Sequence, residues 1–337
     1  MSRLKIFFAV IMFTLLTIQT AFASPESETH NKKGDEYYDA KKYSDALNEY
    51  KAALESENTA LYNNNVGWSL YCLERYDEAE NFFNQSIKLT PTYPNPYRGR
   101  AWVYKKQGKT DRAKSDFNTA ALMYYGLKHY DKALQDFNDA IALDGNNAEF
   151  YTNRGWTYYQ LQKYDDAKKD FDSAIRIDGK YSPAYAGRAN LFKTQSQTED
   201  AAKDFVNAGK FYNVQAVNTD DIKKKDDLFN LSRNMFNAAI ESDKNFAEAY
   251  YRLGLLEYNV SNYQEAIKNY DKALELKISN DLLDDTYARR GWSNYRLKNY
   301  DDAIKKCKAV VGDDVSDNST PSSISDANFF ERFFWLT

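Results

Sequence analysis

Histidine and cysteine are scarce in this chain, with 2 of each in 337 residues. With His30 and His129 alone, a histidine-rich metal site or a His-dependent triad has almost nothing to build on. The motifs GxxxxGK[ST], HExxH and G-x-S-x-G are all missing. The sequence therefore points to a non-enzymatic protein and calls for no cofactor and no metal. Cys72 and Cys307 match no metal or redox spacing; they read as two free buried thiols, with a disulfide between them left open. The 13 glycines and 6 prolines are too few for a turn-rich fold. Excess basic charge is lacking as well: 45 Lys and Arg against 49 Asp and Glu give a net charge of −4. No whole-chain field draws the protein to nucleic acid or to an anionic membrane.

Long apolar runs are absent apart from one. "IFFAVIMFTLLTI" (6–18) follows Arg3 and Lys5 and precedes "TAFASPES". A charged start, an apolar stretch of this length and the small residues Ala21 and Ala23 form the pattern of a signal peptide over 1–23. The run is short for a membrane span and is softened by Thr14, Thr17, Gln19 and Thr20. Cleavage after Ala23 would leave Ser24 first and no stable membrane span; an uncleaved single-pass anchor is the alternative. The protein is expected to be exported, either periplasmic or secreted.

Aromatic residues, in contrast, are plentiful at 16%, with 28 Tyr, 20 Phe and 5 Trp. Many belong to a repeat. A Tyr or Thr three residues before an Ala recurs at "YSDA" (43), "YDEA" (76), "TDRA" (110), "YDKA" (130), "YDDA" (164), "TEDA" (198), "YQEA" (263) and "YDDA" (300). Four residues after each Ala stands Tyr50, Phe83, Phe117, Phe137, Phe171, Phe205, Tyr270 or Cys307, and three further on a small or apolar residue. Those offsets share one helix face. Twelve residues before each Ala is Gly34, Gly67, Ala101, Ala121, Gly155, Ala189, Gly254 or Gly291, which suits a close crossing of two helices. The polar residue after the Tyr or Thr is a candidate N-cap for the second helix. Each unit reads as helix, turn, helix.

Successive alanines are 33, 34, 20, 34, 34, 65 and 37 residues apart. A dominant period near 34 with this pattern resembles the tetratricopeptide repeat family. The resemblance covers about residues 27–312 and implies an all-α fold, a right-handed superhelical solenoid of helix-turn-helix repeats. The array is assigned to 24–312, with about eight recognisable units and irregular joints near 120–130 and 213–226. "NMFNAAI" (234–240) reads as the second helix of a degenerate unit. Bends at the joints and simple sequence drift are both open.

Four of the five tryptophans, Trp68, Trp102, Trp156 and Trp292, directly follow the small residue of their unit. Three residues on stand Tyr71, Lys105, Tyr159 and Tyr295. This stripe lies 100° round from the one that packs on the partner helix. In the family it lines the concave groove, where extended peptides or partner helices bind, so the resemblance implies a binding site at these eight residues. The bland reading is that the rings fill the inside of the superhelix. A groove of this family can also clamp a terminal carboxylate, but Asn31, Asp35, Asn95 and Gly99 do not fit that clamp and only Asn65 does. Arg98, Arg100, Arg154, Arg188, Arg252, Arg289 and Arg290 either serve acidic partners or pair with the many aspartates.

A polar stretch over 313–328 reads as a disordered linker. It leads to an aromatic segment over 329–337, where Phe329, Phe330, Phe333 and Phe334 would share a helix face. That segment could cap the last repeat, occupy the chain's own groove or mediate self-association. The function expected is that of an exported scaffold binding a protein or peptide partner in an aromatic-lined groove, with carbohydrate or cell-wall polymer as the alternative ligand. No nucleic acid is expected.

Overall fold

The computed structural model describes residues 25–303, so the expected signal peptide, linker and aromatic tail lie outside the described residues. Within them the regular structure is all helix. The described residues form two compact units, divided after Gly145. The first holds α1 (Pro25–Asp39), α2 (Tyr43–Ser56), α3 (Ala60–Cys72), α4 (Tyr76–Leu89), α5 (Pro94–Lys106), α6 (Thr110–Gly126) and α7 (Tyr130–Leu143). The second holds α8 (Ala148–Gln160), α9 (Tyr164–Ile177), α10 (Ser182–Thr194), α11 (Thr198–Val217), α12 (Ile222–Ser242), α13 (Ala247–Asn259), α14 (Tyr263–Glu275) and α15 (Asn280–Arg296). Each unit is built of antiparallel helix pairs stacked side by side, the expected all-α solenoid of helix-turn-helix repeats.

The motif alanines Ala46, Ala79, Ala113, Ala133, Ala167, Ala201, Ala266 and Ala303 are fully buried, and the aromatic four residues on is buried wherever it is described. Each such ring sits where its own first helix has almost no side chain. A Cβ on Gly67 would lie 2.7 Å from Phe83, and one on Gly155 would lie 2.9 Å from Phe171. The next repeat closes on the same rings with Gly99 and Gly187, whose added Cβ atoms would collide with Phe83 and Phe171. The ring is therefore a wedge shared by two repeats.

Short turns within the repeats are set by backbone rather than by capping side chains. In the α3–α4 turn the amide of Arg75 donates to the carbonyl of Leu70 (2.9 Å) and that of Glu74 to Tyr71 (3.0 Å). This is the Schellman arrangement, with Glu74 left-handed at φ 58°. Lys41, Lys128, Gln162, Ser196, Ser261 and Lys298 repeat that backbone, and Gly108 supplies it between α5 and α6. The N-cap expectation is corrected here. Second helices begin at the Tyr or Thr itself; the preceding residue, such as Arg75 or Lys163, holds the cap position and makes no side-chain cap bond. The Schellman turn feeds the chain straight into the helix, so the acidic residue falls inside the first turn, where it favours the helix dipole.

Two helices serve two repeats at once. The α6 helix packs Ala113, Phe117 and Ala120 as a second helix after α5, then uses Ala121 and Tyr124 as a first helix against α7. The usual extra helix is absent because α6 has taken its place. The α11 helix does the same with Ala208 and Gly209: a Cβ on Gly209 would lie 2.5 Å from Phe236 of α12. Ser232 of α12 stands at the motif alanine's place and donates to the Gly209 carbonyl (2.8 Å). Both helices of this pair are long, 20 and 21 residues, so the hairpin extends past its neighbours.

Two buried tyrosines at the wedge position differ in one bond. The Tyr50 hydroxyl donates to Asp35 (2.8 Å), whereas Tyr270 is fully buried and its hydroxyl has no partner. At the place of Asp35 the later repeat has Leu255. Tyr50→Phe should cost about 1 kcal/mol, while Tyr270→Phe should be neutral or stabilising by up to about 1 kcal/mol. Urea unfolding midpoints of the two variants check this. A marked loss in Tyr270→Phe would mean that its hydroxyl is bonded after all.

Candidate functional site

The first helix of four repeats carries a tryptophan directly after its small residue, and each of these tryptophans is half-buried. The indoles are neither free nor fully in the core. Trp68, Trp102 and Trp156 meet Phe83, Phe117 and Phe171 edge to face at 5.7, 5.5 and 5.6 Å. On the other side Trp68, Trp156 and Trp292 meet Tyr71, Tyr159 and Tyr295 at 5.7, 5.4 and 5.7 Å. Lys105 replaces the tyrosine beside Trp102, with its ammonium 4.4 Å from the ring and 3.5 Å from Asp139. Each of the eight expected residues is thus joined to its intended neighbour within a repeat.

The sequence reading missed a third ring. Tyr76, Tyr164 and Tyr300, the first residues of the motif, stack on Tyr71, Tyr159 and Tyr295 at 5.7, 5.8 and 5.5 Å. The same pairing joins Tyr38 to Tyr43, Tyr125 to Tyr130 and Tyr258 to Tyr263. The signal was present as a Tyr recurring five residues before the motif Tyr, across the turn. It yields three Trp–Tyr–Tyr chains with alternating ring orientation, the geometry aromatic quadrupoles prefer.

The residues weighed for a carboxylate clamp are occupied otherwise. The Asn65 amide donates to Asn31 (2.9 Å), and Asn31 donates to Asp35 (3.3 Å). Gly99 is covered by Phe83, and Asn95 bonds Tyr93 and Tyr124. The arginines resolve in favour of pairing. Arg100, Arg154 and Arg188 each donate through Nε and Nη2, one edge of the guanidinium, to both carboxylate oxygens of an aspartate sixteen residues on: Asp116, Asp170 and Asp204, at 2.6–2.9 Å. Arg252 pairs with Glu248, Arg289 with Asp285 and Arg290 with Asp271. The Arg100, Arg154 and Arg188 pairs are planar two-point contacts across a helix pair, the arrangement that guanidinium suits, whereas Arg252 and Arg289 pair with a carboxylate four residues earlier on their own helix.

One rung is irregular. Asp136 of α7 has Ala120 sixteen residues earlier, because α6 is a shared helix. Arg98 reaches across from α5 instead and donates to Oδ1 (2.6 Å) and to the Lys132 carbonyl (3.0 Å). The other carboxylate oxygen has no partner, and the residue is fully buried. Burial pushes the Asp136 carboxyl up to about 6, against the pull of Arg98 and Lys132 and with the push of Asp139. A carboxyl raised in the fold favours folding once protonated, so its penalty is present above about pH 6 and is relieved as pH falls toward 4. Stability should therefore gain roughly 2–3 kcal/mol from this group between pH 7 and pH 4. Asp136→Asn should flatten that part of the profile; urea unfolding of both proteins across this range checks it, and parallel profiles would refute it.

Comparison with known proteins agrees with this architecture. The Tetratricopeptide repeat pattern matches residues 31–94, 148–181 and 247–280, and a TPR repeat pattern matches 121–162. Among curated proteins, a DnaJ homolog subfamily C member 7 homolog of Dictyostelium discoideum is 28% identical over 132 residues, 37% of this chain and 21% of that protein. An Hsp70-Hsp90 organising protein of Plasmodium falciparum is 25% identical over 124 residues, 36% of this chain and 20% of that protein. The match thus spans about a fifth of each relative's length. Among solved structures, the second TPR domain of human RPAP3 in complex with the HSP70 peptide SGPTIEEVD is 24% identical, covers 34% of this chain and 94% of that one, and has a TM-score of 0.31. Repeat spacing, the ring wedged between glycines and these sequence matches converge: the chain belongs to the tetratricopeptide repeat family.

Proposed function

We propose that the protein is an exported, non-enzymatic scaffold that binds an extended peptide or a partner helix along the aromatic rows of its first helices. The observation that carries this reading is the recurrence of one half-buried tryptophan at one position of four repeats, packed on two rings at Trp68 and Trp156, on a ring and the Lys105 ammonium at Trp102, and on Tyr295 at Trp292. Such rings are rigid before a partner arrives, so ordering them costs little on binding, and they are the residue types that dominate interface hot spots. Packing supports the side chosen. Within each unit successive first helices touch, as α3 with α5 and α8 with α10 do, while among the described residues no successive second helices approach comparably. The face on which helices converge is the inner face of a curved stack.

Recognition through a terminal carboxylate is not part of this proposal, because Asn65 is bonded to Asn31 and the arginines of the first helices are paired. The partner is held instead by apolar and ring contacts. Trp68 and Trp102 lie on neighbouring first helices, about 8–10 Å apart axis to axis. An extended segment in the polyproline II conformation, with three residues per turn and about 3.1 Å per residue, sets side chains three residues apart on one face at a matching step.

A pull-down from the envelope or secreted fraction tests the reading, with the chain from Ser24 onward as bait. The comparison bait has Trp68, Trp102, Trp156 and Trp292 changed to Ala and is checked by circular dichroism. Loss of a partner by tenfold or more from the folded variant is expected. An unchanged partner set would make the tryptophans structural, and glycan binding without protein would favour the polymer alternative. Export is tested separately: N-terminal sequencing of the native protein should begin at Ser24, and an intact N-terminus in a cytosolic fraction would refute it.

A further inference from the structure

The long α11–α12 hairpin carries a concentration of exposed apolar side chains that the repeat pattern does not explain. Ile222 is 77% exposed, Val217 58% and Val214 49%. Val214 and Val217 are one turn apart on α11, and Ile222 opens α12 just across the turn. Leu231 of α12 is exposed as well. Below them Ala216 and Leu228 are buried, so the hairpin has its own dry seam and the exposed residues lie outside it. This end of the hairpin exists only because α11 and α12 outrun their neighbours.

The exposed patch is small, on the order of 300 Å². That is well short of the roughly 800 Å² per partner that a stable protein interface needs, which argues against a second folded copy as its cover. A short aromatic segment fits better, since each aromatic ring can bury about 150–250 Å². The chain has such a segment. Residues 329–337 contain Phe329, Phe330, Phe333, Phe334, Trp335 and Leu336. The polar stretch 313–328 that leads to it spans roughly 50 Å when extended. From the last repeat back to α12 is a step of a few helices at 8–10 Å each, roughly 30–40 Å. In sequence the segment follows the last described helix of the unit that holds the hairpin.

We propose that the C-terminal aromatic segment 329–337 docks on the tip of the α11–α12 hairpin of its own chain, covering Val214, Val217 and Ile222. The tail then acts as an internal clasp over unit 2, and the aromatic rows of the first helices stay open to partners.

Hydrogen exchange followed by mass spectrometry tests the proposal, comparing the full chain with the same chain ending at Asn328. Removing the tail should speed amide exchange several-fold in 209–231 and leave the peptides containing Trp156 and Trp292 unchanged. The full chain carrying Val217→Asp and Ile222→Asp, two exposed positions whose change leaves the seam intact, should show the same acceleration, and adding a synthetic 326–337 peptide to the truncated chain should restore protection. Exchange that changes at the Trp156 and Trp292 peptides instead, or nowhere, overturns the proposal. So does protection that appears only as the chain doubles its mass with concentration, which would place the tail on another copy.

Discussion

One ring per repeat holds the array together: a phenyl or phenol from the second helix, wedged where two successive first helices have no side chain in the way. Phe83 between Gly67 and Gly99, and Phe171 between Gly155 and Gly187, are the clearest cases. Burying such a ring contributes about 2–3 kcal/mol, but only if both walls are present. A single helix pair supplies one wall, and helices of this length are marginal alone. Stability is therefore a property of neighbours, and each repeat exists because the next one closes on its ring.

The irregularities follow from that rule. Where one helix serves two repeats, the small residue that ends one contact and the small residue that begins the next become adjacent: Ala120 with Ala121, Ala208 with Gly209. Adjacent residues on a helix point 100° apart, enough to present one face to each partner. The substitution has consequences elsewhere. The lost first helix takes with it the arginine that would face Asp136, and Arg98 makes a one-point bond in its stead. It also leaves Leu122 where other repeats have tryptophan, and that leucine is exposed. One topological economy thus explains the uneven rung of the ion-pair ladder and the gap in the aromatic row.

Much of this was legible in the sequence, and for a definite reason. Burial of the motif alanine and of the ring four residues on depends only on helical spacing, which a sequence states directly. The tryptophan position was readable for the same reason. The N-cap expectation fails because Ser, Asp and Glu near a helix start suggest a side-chain cap, whereas here the backbone of the preceding turn closes the helix and a left-handed residue such as Glu74 bears the strain. Nothing in a lysine or glutamine at that place advertises it. The third ring of each aromatic chain is hidden in the sequence because Tyr76 and Tyr164 are also motif residues, and nothing in the motif shows that they pack back on Tyr71 and Tyr159. The repeat formed by Gly209, Ser232 and Phe236 was only half visible, since the lengthened hairpin breaks the spacing that links its parts.

The ion pairs bear on how a partner could be chosen. Arginines on first helices would be natural anchors for an acidic ligand, yet each of those weighed here is bound to a carboxylate within its own unit, most of them partly buried. Freeing one would leave an aspartate such as Asp170 or Asp204 uncompensated, a penalty larger than a rim contact returns. Charge is therefore committed to holding helix pairs in register, and what remains on the first helices is ring surface. Ring contacts discriminate poorly between one apolar side chain and another, a difference of about 1–3 kcal/mol at most. Selectivity on such a face has to come from spacing, from which repeats carry a tryptophan and which carry Leu122 or Asn190 in its place. On the proposed binding face, the order of repeats along the chain, rather than any single residue, would then define the partner.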